Sequence, residues 1–195
     1  MMDMYEEEAR RDALVVEDTR RWVQRAVIGL NLCPFAKSVE VKQQVRYVVS
    51  HAKTAKRLLA DLKRELQALV AADPAELDTT LLIAPDGFGE FLDFNDLLER
   101  ADQLLVALDL DGVLQIASLH PQYQFADTEE DDITNYTNRS PYPTLHLLRE
   151  ESVDRAVAAF PHAEAIFETN IETMRRLGPA GWAALDVSAT KGEQT

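Results

Sequence analysis

The chain has 195 residues, 46% hydrophobic and 28% charged, the balance of a soluble globular protein long enough to bury a sizeable core. A formal net charge of −14 repels the phosphates of DNA, RNA and anionic membranes, so neither nucleic acid nor a membrane is an expected partner. No apolar run is long enough to span a bilayer, and MMDMYEEEARRD lacks the apolar stretch of a signal peptide. A lone cysteine, Cys33, excludes an internal disulfide and fits a reducing cytoplasm.

From Leu14 to Leu30, residues Val15, Trp22, Val23, Ala26, Val27 and Leu30 make a helical stripe, with Asp18, Arg20, Arg21, Gln24 and Arg25 on the other side. Pro34 should end that helix, since the residue before a proline is pushed out of the α region. Val45 to Ser50 reads as a first strand. Thr54 can cap a helix carrying Leu58, Leu62, Leu66 and Leu69, which ends near Asp73-Pro74. Thr79 to Ala84 is a continuous apolar run suited to a strand covered on both faces. Asp93 is the expected cap of a helix closed by Asp111-Gly112, and Val113 to Leu119 is a third strand. Thr144 to Leu148 is the fourth.

Beyond Glu150, Ser152 is the expected cap of one helix and Pro161 opens the next, which stops at Gly178-Pro179. Trp182 should pack down. One α/β domain over residues 1–195 is expected, with roughly the first 12 and last 10 residues loose. Its sheet should be small, of about four strands, largely parallel or mixed, and flanked by helices.

The span from Ser118 to Glu150 has little periodicity yet carries two histidines, three tyrosines, three prolines and an acidic run. Structureless connections beyond about 12–15 residues are uncommon in a compact domain unless functional or disordered. The middle, TEEDDITN, is compatible with disorder. HPQYQF and SPYPTLHLL are too aromatic and aliphatic for it, so the reading is an ordered loop at the carboxyl edge of the strands.

In open α/β sheets ligands sit beyond the carboxyl ends of the strands. Those ends carry His51, Asp86 and His120, the last two on strands expected to be parallel neighbours. His120 is a candidate acid/base, with hydrogen bonding to the loop backbone as its structural alternative. Asp86 would orient or ligate. Arg139, stiffened by Pro141 and Pro143, suits an anion, or else an ion pair with Glu129, Glu130, Asp131 and Asp132. Asn138, Tyr142 and His146 complete the candidate ligand contacts, His146 facing opposite to Leu145 and Leu147 by strand alternation. Cys33 is a candidate nucleophile if a histidine lies near it, and otherwise a small buried residue. His51, Asp86 and His120 could also form a two-histidine, one-carboxylate metal site. His162 reads as a surface residue. No nucleotide fingerprint or phosphate loop is present, so no nucleotide cofactor site is expected, and the residues leave any other cofactor unknown.

Three separated strings, NLCPFA from Asn31, HPQYQF from His120 and NRSPYPTLHLLRE from Asn138, carry a family resemblance. The chain resembles an uncharacterised bacterial family, domain of unknown function fourteen-fifteen, from Thr19 to Leu177. The resemblance implies a small cytoplasmic bacterial protein and no particular activity. The residues themselves lead us to expect an enzyme or binding protein for a small anionic metabolite at the strand carboxyl edge. The alternatives are the metal site and a docking protein that exposes Tyr123, Phe125 and Tyr142.

Overall fold

The N-terminal stripe builds a helix, α1 (Met2–Trp22), which widens into a π-helical turn, Val23–Ile28, in the computed structural model. The structure describes residues 2–159 and 165–190. Gly29 ends the wide turn, its N–H reaching the Gln24 carbonyl at 3.0 Å. A Cβ at Gly29 would lie 2.2 Å from the Arg25 carbonyl oxygen, so this exit needs glycine. The chain continues through α2 (Ala36–Val41), β1 (Val45–Val49), α3 (Ala55–Ala71), β2 (Thr79–Ile83), α4 (Phe91–Ala107) and β3 (Leu114–Leu119). A long loop with a 3-10 turn at Ile133–Thr137 leads to β4 (Thr144–Arg149), α5 (Glu150–Ala159) and α6 (Ile166–Ala184).

The sheet is mixed, in the order β1-β2-β4-β3. β1 and β2 pair in parallel, while β4 runs antiparallel to both β2 and β3, so the first three strands share one direction as expected. The expectation that β2 and β3 are neighbours is corrected, because β4 lies between them. All five residues of β2 are buried, which calls for a partner strand on each side. The chain returning from β3 supplies the second one.

Alternation divides the sheet residues between two cores. On one face Leu82, Leu114, Leu145 and Leu147 meet Leu58, Leu62, Leu66 and Leu69 of α3 and Phe94, Leu97 and Ala101 of α4. The four α3 leucines are wholly buried, each contributing on the order of 2 kcal/mol. Thr54 caps α3 by accepting the Arg57 N–H. Arg149 closes the other end of α3, donating to the carbonyls of Leu69, Ala72 and Leu77, where the helix dipole favours a cation.

On the opposite face Val15, Trp22, Val23 and Ala26 of the N-terminal helix cover Leu81 and Ile83. Asp18, expected on the solvent side, is wholly buried. Its carboxylate accepts hydrogen bonds from Arg21 (2.7 Å), Tyr142 (2.8 Å), and the Thr190 N–H (2.7 Å) and hydroxyl (2.6 Å). Burial raises its pKa, but the bonds from Thr190, Tyr142 and Arg21 outweigh that and hold it below the usual carboxylate range.

Other boundaries differ for local reasons. α4 starts at Phe91, with Asp93 inside its first turn, where a carboxylate suits the positive helix end. α5 follows β4 directly, so Ser152 is not a cap, and its hydroxyl donates to Asp78 at 2.5 Å. α6 breaks at Gly178 (φ 65°) and resumes through Pro179 to Ala184, and Trp182 packs edge-on against Tyr136. Towards the ends, α1 is helical from Met2, Val187 is buried and Thr190 is held by Asp18. Pro161 and His162 lie outside the described residues.

Asp18→Asn should destabilise the fold by about 3 kcal/mol, because the amide cannot accept from all four donors and leaves buried groups unpaired. Urea melts of both proteins at neutral pH measure this. A loss under about 0.5 kcal/mol, typical of a surface site, would contradict the assignment.

Candidate functional site

The carboxyl ends of β1 and β2 do bring His51 and Asp86 together. Nδ1 of His51 lies 2.8 Å from Asp86, and Nε2 faces both oxygens of Asp12 (3.1 and 3.3 Å) and Glu8 (3.4 Å) on α1. Arg11 pairs with the other oxygen of Asp86. The hydrogen bond to Asp86, opposed by burial and aided by Asp12, raises the His51 pKa. Burial alone would raise the Asp86 pKa, but its bonds to His51 and Arg11 lower it. Gly87 lets this loop press against the next, since a Cβ there would lie 2.9 Å from the Ala52 carbonyl oxygen. The edge is thus an ionic clasp between α1 and two loops.

His120 is wholly buried and both ring nitrogens are committed to backbone. Nδ1 accepts the Gln122 N–H at 3.0 Å, which places the proton on Nε2, donated to the Phe88 carbonyl at 2.8 Å. The ring packs against Phe91 and Phe94, and burial lowers its pKa. His120 thus staples the loop, with both ring nitrogens bonded to backbone groups. It does not join His51 and Asp86 around a metal. Among the described residues no three His, Cys, Asp or Glu side chains are placed to hold a metal ion.

Arg139 is likewise turned inward. It donates to the carbonyls of Tyr123 (3.1 Å) and Glu130 (2.7 Å) and lies over the Tyr136 ring. It therefore neither presents a fork to an anion nor pairs with the acidic side chains; it uses the Glu130 backbone. Asn135, wholly buried, does the rest, accepting from Phe125 and Thr128 and donating to Glu129. These bonds order the stretch that composition alone made compatible with disorder. Asn138 accepts the His120 N–H through its carbonyl, and Tyr142 donates to Asp18. Tyr123, Phe125 and Tyr142 are each partly buried, rather than fully exposed as a docking face would have them.

His146 and Cys33 stand elsewhere, on one cavity. It occupies about 340 Å³ between the sheet and the N-terminal helices, within the range of small-molecule sites. Val45, Leu81, Leu119 and Leu148 form part of the floor, and Trp22, Val23 and Val27 a wall. Two of these, Val23 and Val27, belong to the π-helical turn, a feature that often marks functional positions. His146 faces away from Leu145 and Leu147, as alternation predicts, and bonds the Thr79 hydroxyl at 2.8 Å. Burial pushes its pKa down to about 4. Cys33 is a free thiol. Trp22 carries a buried indole N–H with no partner among the described residues.

Gln115, Asn170 and Asp78 also line the cavity and were missed in the sequence. Strand alternation through Gln115 offered a signal; for Asn170 there was none, because α6 reaches the site only through tertiary packing. Asn170 is fixed by donating to the Leu32 carbonyl at 2.9 Å.

These features define a mixed-sheet α/β protein with a solvent-accessible cavity on one sheet face. The chain belongs to the family described as "Protein of unknown function (DUF1415)", whose model matches residues 14–184. No curated protein and no solved structure matches it. No helix among the described residues is long and apolar enough to cross a membrane.

The clasp should give stability a definite pH dependence. His51, with its pKa raised above 6.5, contributes fully below that value and loses its contribution as pH rises through the folded value. Asp86, lowered below 3.8, contributes fully above that value and loses its contribution as pH falls through its folded value. The stability gap between wild type and His51→Gln should therefore be widest near pH 5 and shrink at pH 9. Urea melts across this range check it; a gap that grows towards pH 9 would reverse the assignment.

Proposed function

We propose that this protein binds a small, largely apolar molecule in the cavity between the α1 face of the sheet and the Cys33–Val39 segment. The observation that carries the reading is the lining: apolar side chains from sheet and helices surround a few hydrogen-bonding groups. That is the usual make-up of a ligand pocket, in which apolar area supplies affinity and sparse polar groups supply orientation. The unpartnered Trp22 indole and the π-helical turn on the wall support it. The ligand then sits on the sheet face rather than at the strand edge, and is apolar rather than anionic. His120 and Arg139 are committed to loop carbonyls, and the cavity is lined by one carboxylate, Asp78, with no lysine or arginine among the described residues. A cytoplasmic bacterial protein with such a site would act as a carrier or sensor of a small metabolite, or as an enzyme whose chemistry uses Cys33.

The neutral fluorescent probe N-phenyl-1-naphthylamine tests the site. Saturable, one-to-one binding is expected. Ala36→Trp and Ala156→Trp, which place indole rings in the cavity, should each weaken it about tenfold or more, a change of about 1.4 kcal/mol. Bound probe should also slow alkylation of Cys33 by N-ethylmaleimide. Absence of saturable binding, or binding indifferent to both substitutions, would refute the proposal.

A further inference from the structure

The cavity floor carries a row of hydrogen-bonding groups across three strands: Thr79 on β2, His146 on β4 and Gln115 on β3. His146 stands opposite Leu81 and Ala117, and Leu148 stands opposite Thr79 and Gln115. Thr79 and Gln115 are therefore diagonal neighbours of His146 on one sheet face, a separation that longer side chains bridge. The single hydroxyl hydrogen of Thr79 goes to the Leu147 carbonyl at 2.7 Å. The contact between Thr79 and Nε2 of His146 is then an N–H donated to the Thr79 oxygen. This assigns the tautomer: Nδ1 carries a lone pair and can only accept. With its pKa down at about 4, the ring stays neutral at neutral pH. The Gln115 amide supplies both a donor and an acceptor beside it.

Charge in the cavity points the same way. The only charged side chain among the described lining residues is Asp78, whose carboxylate accepts from Ser152. A carboxylate or phosphate entering here would shed water with no cation to meet it. A ligand amine would meet a neutral histidine and apolar walls, with the Asp78 carboxylate, which accepts from Ser152 through Oδ1, as its single counter-charge.

We propose that the ligand is an uncharged molecule with an apolar body and one hydroxyl, of phenol or alcohol type, which donates to Nδ1 of His146 and accepts from the Gln115 amide. This rests on the cavity being a binding site and adds what it selects. His146 is the specificity-determining residue: an ether in place of the hydroxyl would set an oxygen lone pair against the Nδ1 lone pair and leave the imidazole unpaired.

Three probes of one shape separate the outcomes by isothermal titration at pH 7: 4-hydroxybiphenyl, 4-methoxybiphenyl and biphenyl-4-carboxylate. The hydroxyl compound should bind about tenfold or more tighter than the ether, and the carboxylate weakest. His146→Leu should abolish the preference for the hydroxyl while keeping ether binding. Thr79→Val, which releases the tautomer, should reduce the preference. In the wild type, the Nδ1 resonance of ¹⁵N-labelled His146 should move with the hydroxyl compound and stay in place with the ether, which decides the matter even where His146→Leu does not fold. Equal affinities for hydroxyl and ether, or tightest binding of the carboxylate, would overturn the ligand class and leave the cavity reading standing. Failure of all three probes to bind would overturn both.

Discussion

The buried carboxylate of Asp18 is the constraint from which the arrangement of the α1 face follows. Removing a carboxylate from water costs several kcal/mol unless hydrogen bonds replace the hydration shell. Here the donors come from three separate stretches: Arg21 one turn along α1, Tyr142 just ahead of β4, and Thr190 beyond α6. One residue thereby fixes the position of α1 on the sheet and the return of the C-terminal segment. Trp22 and Val23, one turn further along, are carried into place over β2 by the same geometry. The cavity wall is thus a consequence of where Asp18 is held.

The two faces of the sheet are closed to different degrees. Two leucine-rich helices, α3 and α4, cover one face and leave a continuous apolar core. The other face is shared between α1, the segment after the π-helical turn, the end of α6 with Val187, and α5, which has no buried residue of its own. α5 meets the cavity through Ser152, Val153 and Ala156. A helix so lightly packed adds little to the core, and lightly packed elements open at lower free energy than the core. The polar row Thr79, His146 and Gln115 lies on this less covered face, where polar groups on a sheet keep access to a ligand or water.

Much of the scaffold was legible because it rests on local rules. The buried run of β2, the leucine spacing of α3, the Thr54 cap and the orientation of His146 all follow from periodicity or capping chemistry. The insertion of β4 between β2 and β3 was not, because strand order is decided by which edges remain to be covered after the crossovers form. The bonding of His120 and Arg139 was not legible for a different reason. His120 and Arg139 are chemically capable residues at positions where ligands commonly sit, but a long loop has many backbone carbonyls and amides to satisfy. Those two side chains and Asn135 satisfy them. Asp18 was read as a solvent-side residue because its helical position is polar on average; apart from Arg21, its partners Tyr142 and Thr190 lie more than a hundred residues away in the chain.

The central claim is that the α1 face of the sheet holds a cavity rather than a collapsed core. Crystals of the protein pressurised with xenon measure this directly, since xenon occupies apolar cavities and ignores filled ones. The account predicts xenon between Val27, Leu81 and Leu148, and none at the His51–Asp86 edge. A cavity region filled by repacked side chains and free of xenon would contradict it.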